Sequence, residues 1–137
     1  MPVDVRYLLD TNILSDFIRD PKGPVSERLA VVGEPTVCTS IIVACELRYG
    51  AAKKGSPRLA ERVDQVLASL EVLPLDRESD RHYAEIRDLL SRTGQSIGPN
   101  DLLIAAHALA LDLTLVTNNV REFGRVPGLA IENWLDP

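Results

Sequence analysis

Short apolar runs alternate with segments of helical periodicity along almost the whole chain, and that alternation limits the fold more than any other feature. Val5 to Leu9, Thr36 to Thr39, Val72 to Leu75, Leu113 to Thr117 and Leu129 to Ile131 read as strands. Between them, apolar residues recur at the 3.6-residue period of a helix. Thr11 is the expected N-cap of a helix carrying Ile13, Leu14, Phe17 and Ile18, and a second short helix spans Val25 to Val32. Ser40 caps a helix reaching Ala52, and Leu59, Val63, Val66, Leu67 and Leu70 mark a strongly amphipathic one. Another begins at Ser79, and Pro99 stands in the first turn of the helix that runs through Asp101 to Leu111. Strands joined by helical crossovers pair in parallel and are covered on both faces. The expected class is therefore α/β, a three-layer α/β/α domain over residues 1–137 with a central, mostly parallel, five-stranded sheet.

Three acids sit where such a fold would rather not have one. Asp10 closes the apolar run of LLDTN, while Glu46 in ACELRYG and Asp101 in GPNDLLIAAHA lie inside apolar helical runs. An unpaired carboxylate taken out of water is costly, so such groups are normally protonated, paired or bound to a metal. No basic residue nearby in sequence is assigned to any of them. Parallel sheets bind ligands beyond the carboxyl ends of their strands, where strand order reverses. Asp10 lies at such an end, Glu46 lies early in the helix after the second strand, and Asp101 opens the helix leading to the fourth. Asn118 and Asn119 follow that fourth strand. All can face one crevice and offer hard oxygen ligands to a divalent cation.

The 137 residues are 45% hydrophobic and 26% charged, the balance of a globular domain, with apolar stretches too short for a membrane span. With no basic-then-apolar leader at the N-terminus, a cytoplasmic location is expected. Cys38 and Cys45 belong to no metal-binding motif and are expected to be reduced core thiols. A net charge of −5 excludes a protein that coats nucleic acid through overall charge. Locally the balance reverses: Arg48, Lys53, Lys54, Arg58 and Arg62 face only Glu61 across that stretch. Such a cluster can follow a phosphate backbone or be a solvated helix face. His107 lies about 120° around its helix from Asp101 and so belongs to the core or to a partner surface. His82 and Trp134 read as solvated and packing residues. There is no HExxH and no GxSxG, so zinc and serine hydrolases lack their parts. A phosphoacceptor receiver domain would need a late lysine, and the last one here is Lys54.

Four phrases in order, LLDTNILSDFIR, SIIVACELRYGAAK, GPNDLLIAAHALAL and LVTNNVREFGRVPGLAIENW, resemble the PIN-domain ribonucleases, and within them the VapC toxins of bacterial toxin–antitoxin pairs. The resemblance spans nearly the whole chain. It implies a doubly wound PIN-like sheet, a Mg²⁺ or Mn²⁺ centre, cleavage of structured RNA such as tRNA or rRNA, a homodimer, and a small antitoxin (VapB-like) that blocks the acidic crevice. Carried over residue by residue, it assigns Asp10 and Asp101 to metal ligation, with Glu46 completing the triad through water or by orienting the attacking water. The family's fourth polar position falls on Thr117, Asn118 and Asn119. Many relatives carry aspartate where this chain has Asn119, and Glu122 is the nearest acid that could contribute through water. Thr11, Asn12, Ser40 and Asn119 are candidates to hydrogen-bond the carboxylates or the scissile phosphate. Arg48, Lys53, Lys54 and Arg58 are candidates to hold RNA. A non-cleaving PIN-like module that binds RNA or protein is the alternative expectation.

Overall fold

Leu8 and Leu9 are adjacent in sequence, point to opposite faces of their strand, and are both sealed from solvent. A strand achieves this only inside a sheet covered on both sides. The computed structural model describes residues 4–136, so the domain expected over 1–137 extends beyond the described residues at both ends. Five strands form one sheet: β1 (Tyr7–Leu9), β2 (Val37–Ser40), β3 (Glu71–Leu73), β4 (Thr114–Val116) and β5 (Ile131–Glu132). Their spatial order is β3-β2-β1-β4-β5, and every pairing is parallel, which sharpens the expectation of a mostly parallel sheet.

The helices are α1 (Thr11–Arg19), α2 (Pro24–Val32), α3 (Ile41–Lys54), α4 (Pro57–Ser69), α5 (Ser79–Arg92), α6 (Pro99–Ala110) and α7 (Val120–Phe123). The chain moves outward from β1 to β2 and β3, then returns to the other side of β1 for β4 and β5. Right-handed crossovers therefore put α1 to α4 on one face and α5 and α6 on the other. The reversal between β1 and β4 is the switch point, and the register Leu9↔Val116 brings Asp10 and Thr117 side by side at its carboxyl end.

Several local expectations shift. The first helix is capped by Asp10, not Thr11: the Asp10 carboxylate accepts from the Ile13 amide at 3.0 Å, which frees the Thr11 hydroxyl for another partner. The strands are shorter than the apolar runs that announced them, because residues such as Val5 and Leu113 are buried by packing beside the ladder without belonging to it. The last strand begins two residues later than expected, at Ile131. Cys38 is buried, but Cys45 is exposed, so only one of the two thiols belongs to the core. Trp134 packs as expected, edge-on to Tyr7 with ring centroids 5.4 Å apart. No helix among the described residues is long and apolar enough to cross a membrane.

Candidate active site

At the carboxyl end of β1, Asp10 does two jobs. It caps α1 through Ile13, and the residue is only 4% exposed, with its carboxylate beside a hydrogen-bonding Thr117 hydroxyl. Thr117, itself buried, accepts from the Asn119 amide at 2.9 Å, so its own proton is available for Asp10. Burial dominates over these donors and pushes the Asp10 carboxyl from 3.8 up to about 6.

Glu46 reaches the same place from α3. One oxygen accepts from the Thr11 hydroxyl at 2.5 Å and the other from the Asn100 side-chain amide at 3.4 Å. Neutral donors therefore fix both ends of a charged group without neutralising it. Asp101 comes from the first turn of α6, where the helix dipole favours a negative charge. Burial, then hydrogen bonding to Glu122, then the negative charges of Glu122, Glu46 and Asp10 lift its carboxyl from 3.8 to about 7. For Glu122, burial acts upward but is outweighed by the Gly98 amide at 2.9 Å, by Asp101, by the Asn119 side-chain amide and by Arg125, so its pKa is lowered.

Asp10, Thr11, Asn12, Glu46, Asp101, Ile104, Asn119 and Phe123 line one crevice of about 230 Å³. Six of the eight were expected from sequence; Ile104 and Phe123 form its apolar floor. Asn118 stands at the mouth, its side-chain oxygen accepting from Asn12 at 3.2 Å. Glu122 lies beside the crevice, behind Asp101. Ser40 departs from its expected place: its hydroxyl is committed to the Ile42 amide at 3.0 Å and to His107 at 2.8 Å, and it is fully buried away from the carboxylates. Asn100 and the Gly98 amide were missed. Their neighbour Asp101 was conspicuous, but nothing in GPND says which way the loop before α6 turns its donors.

The basic residues expected to hold RNA are all exposed: Arg48 lies midway along α3, Lys53 and Lys54 form an exposed slope at its end, and Arg58 continues it in the first turn of α4. Arg48 pairs with Asp64 across the two helices, both largely exposed, while Lys53, Lys54 and Arg58 make no salt bridge among the described residues. Beside the crevice, sharing Thr11 and Glu46 with it, lies a groove of about 250 Å³ walled by Leu47, Ala51, Leu59 and Val63 and rimmed by Arg19 and Lys54.

The donor set suits a hard cation. All its ligating atoms are carboxylate, hydroxyl or carboxamide oxygens, and no salt bridge among the described residues reaches Asp10, Glu46 or Asp101. Two carboxyls are held well above their ordinary range, first by burial and then by the neighbouring negative charges, which marks the cost of keeping these groups together out of water. Among the described residues, no three acidic, histidine or cysteine side chains stand close enough to grip one ion by themselves. Mg²⁺ does not need such a cage, since it keeps several waters and binds through one or two carboxylates.

Comparison with known proteins fixes the lineage. Residues 7–129 match the PIN domain family. The chain is 40% identical over 130 residues to Ribonuclease VapC2 of Rickettsia felis, covering 93% of this chain and 97% of that protein. It is 39% identical over 131 residues to the tRNA(fMet)-specific endonuclease VapC of Salmonella typhimurium, covering 95% and 98%. This chain belongs to the PIN-domain family, and within it to the VapC ribonucleases. The fold of this PIN domain matches the crystal structure of DNA-bound VapBC from Salmonella typhimurium with a TM-score of 0.89 at 39% identity, over 95% of this chain and 98% of that one. Membership makes the protein an RNA-cleaving nuclease, and the expectation of a non-cleaving PIN-like module loses its support.

Proposed function

We propose that this chain is the toxin of a toxin–antitoxin pair, a divalent-metal-dependent endoribonuclease acting in the cytoplasm as a single domain. The observation that carries the reading is the crevice itself: three carboxylates from β1–α1, α3 and α6 meet at the switch point of a parallel sheet, and no salt bridge among the described residues reaches them. Asp10 and Asp101 would hold Mg²⁺ or Mn²⁺ directly, with Glu46 binding through water. When bound, such an ion supplies positive charge to phosphoryl and leaving oxygens and makes water a better nucleophile at neutral pH.

The chain's own residues do the rest. Thr11 and Asn100 hold Glu46 in one orientation, so its carboxylate can align an attacking water. Thr117 and the Ile13 amide keep Asp10 fixed while its other lone pairs face the crevice. Glu122, tied to Gly98 and Asn119, carries part of the proton and charge balance of Asp101. Asn12, Asn118 and Asn119 present carboxamides at the mouth, where they can donate to phosphate oxygens without adding charge. Lys54 on the rim of the groove, with Lys53 and Arg58 near it in sequence, would attract the rest of the RNA.

The Salmonella relative is named for tRNA(fMet) and its structure is of a VapBC complex. By kinship we assign a structured RNA, tRNA first, as substrate, a VapB-like antitoxin as inhibitor, and a homodimer as the working form. Expressing the chain alone and sequencing the RNA ends tests the reading. One dominant cut site, abolished by EDTA and by Asp10→Asn, is expected. Intact RNA in the presence of Mg²⁺ and Mn²⁺ would overturn it.

A further inference from the structure

One buried titratable group has no part in the crevice. His107 lies on α6, six residues beyond Asp101, and is 1% exposed. Its Nδ1 is 2.8 Å from the Ser40 hydroxyl oxygen. Ser40 is the N-cap of α3, six residues before Glu46, and its oxygen already accepts from the Ile42 amide at 3.0 Å. Each helix thus carries an acid on one side and one member of this hydrogen bond on another. We propose that His107 is a positioning residue: its Nδ1 accepts the Ser40 hydroxyl proton, ties α6 to the capped start of α3, and so sets the separation of Asp101 and Glu46 across the crevice. The inference rests on the nuclease reading of that crevice.

Proton accounting supports this direction of donation. A serine hydroxyl has one proton and two acceptor sites. With one site taken by Ile42, the proton is free to go to Nδ1. That puts the ring proton on Nε2, which has no hydrogen-bond partner among the described residues, while the Pro74 carbonyl lies close to the ring. The opposite tautomer would leave a bare Nε2 lone pair and a stranded serine proton, both in a dry interior. Burial lowers the imidazole's pKa, against the pull of Pro74, and so keeps the neutral ring this arrangement requires. Apolar packing between α3 and α6 resists separation but not sliding or rotation, because the hydrophobic effect has no direction. A hydrogen bond has one. A displacement of about 1 Å at a reacting group can lower a rate roughly a hundredfold, so a remote tie can govern turnover.

The test has two arms. Nitrogen-15 spectra of the imidazole in the intact, metal-free chain should show Nε2 protonated and Nδ1 as an acceptor; protonation at Nδ1 would overturn the proposal. In cleavage assays, His107→Leu should lower kcat by roughly 10- to 100-fold with little change in KM. His107→Asn, whose side-chain oxygen falls near the former Nδ1, should recover most of that loss, and His107→Gln, which places its amide near Nε2, should not. Ser40→Ala combined with His107→Leu should be no worse than the worse single change, since both remove the same tie. An unchanged kcat in His107→Leu, or equal losses in the Leu and Asn variants at matched thermal stability, would overturn it. A wild-type chain that cleaves no RNA would count against the nuclease reading instead, and the spectra would still decide the hydrogen bond.

Discussion

Glu46 and Lys53 ride the same helix two turns apart, under opposite electrostatic rules. Around Glu46, carboxylates from three elements are drawn out of water and fixed by neutral donors, and two of them are driven toward their protonated forms. Around Lys53, like charges stand in solvent on an exposed slope with Lys54 and Arg58. The crevice accepts electrostatic cost to hold a geometry. The slope has almost no geometry and almost no cost. A phosphodiester nuclease needs both, since bond cleavage depends on placement to within a fraction of an ångström, whereas drawing in a polyanion depends on charge alone.

The sharpest way to break this contrast is to remove charge, without volume, from the crevice. Asp10→Asn and Asp101→Asn should each lower RNA cleavage on the order of a thousandfold or more, since the proposed metal centre would lose a carboxylate ligand. Asparagine caps helices as well as aspartate does, so α1 should keep its start in Asp10→Asn. The metal-free variant should even gain stability at neutral pH. Retained cleavage, or a melted fold, would show that the crevice is not the metal-binding region proposed above.

A second, smaller effect concerns pH. The folded chain holds protons on Asp10 and Asp101 up to about 6 and about 7, against an ordinary 3.8. A folded-state pKa raised in this way adds stability that is fully present below the unfolded value and disappears as pH rises through the folded one. In EDTA, the Tm should therefore fall between pH about 4 and about 7. Excess Mg²⁺ should remove or reverse that slope, because a cation favours the ionised forms. Scanning calorimetry with and without metal checks both signs, and a Tm rising with pH in EDTA would break the account of the crevice.

The slope should answer only to salt. Neutralising Lys53, Lys54 and Arg58 together should weaken RNA binding and reduce the slope of log K against log salt by about 2, from ~0.7 per neutralised phosphate contact on single strands. Turnover at saturating RNA should stay the same. A salt slope equal to that of the wild type would reduce this region to a solvated helix face. The smallest effect belongs to Arg48, whose ion pair with Asp64 is exposed on both sides. Arg48→Ala should change stability by no more than about 1 kcal/mol, as measured by urea unfolding.

Much of this was legible in the chain because it follows from short-range rules. Periodicity separated strand from helix, Pro99 and Ser40 marked helix starts, and acids in apolar runs marked the site. Element ends were less legible. Asp10 outcompeted Thr11 as a cap because either can accept from the first turn, and the choice turned on which was needed elsewhere; Thr11 was needed by Glu46. Cys45 looked like core in an apolar run, but its side of α3 faces solvent.

The sequence by itself determined the kinds of element, the parallel class of the sheet and the identity of the three acids, since each depends on residues close along the chain. Tertiary structure alone decided that Glu122 hydrogen-bonds Asp101, that Asn100 holds Glu46, and that Ser40 turns from the crevice toward His107, 67 residues away. Hydrogen bonds and pKa values depend on distance, direction and exclusion of water, and those quantities exist only once remote segments have been packed together.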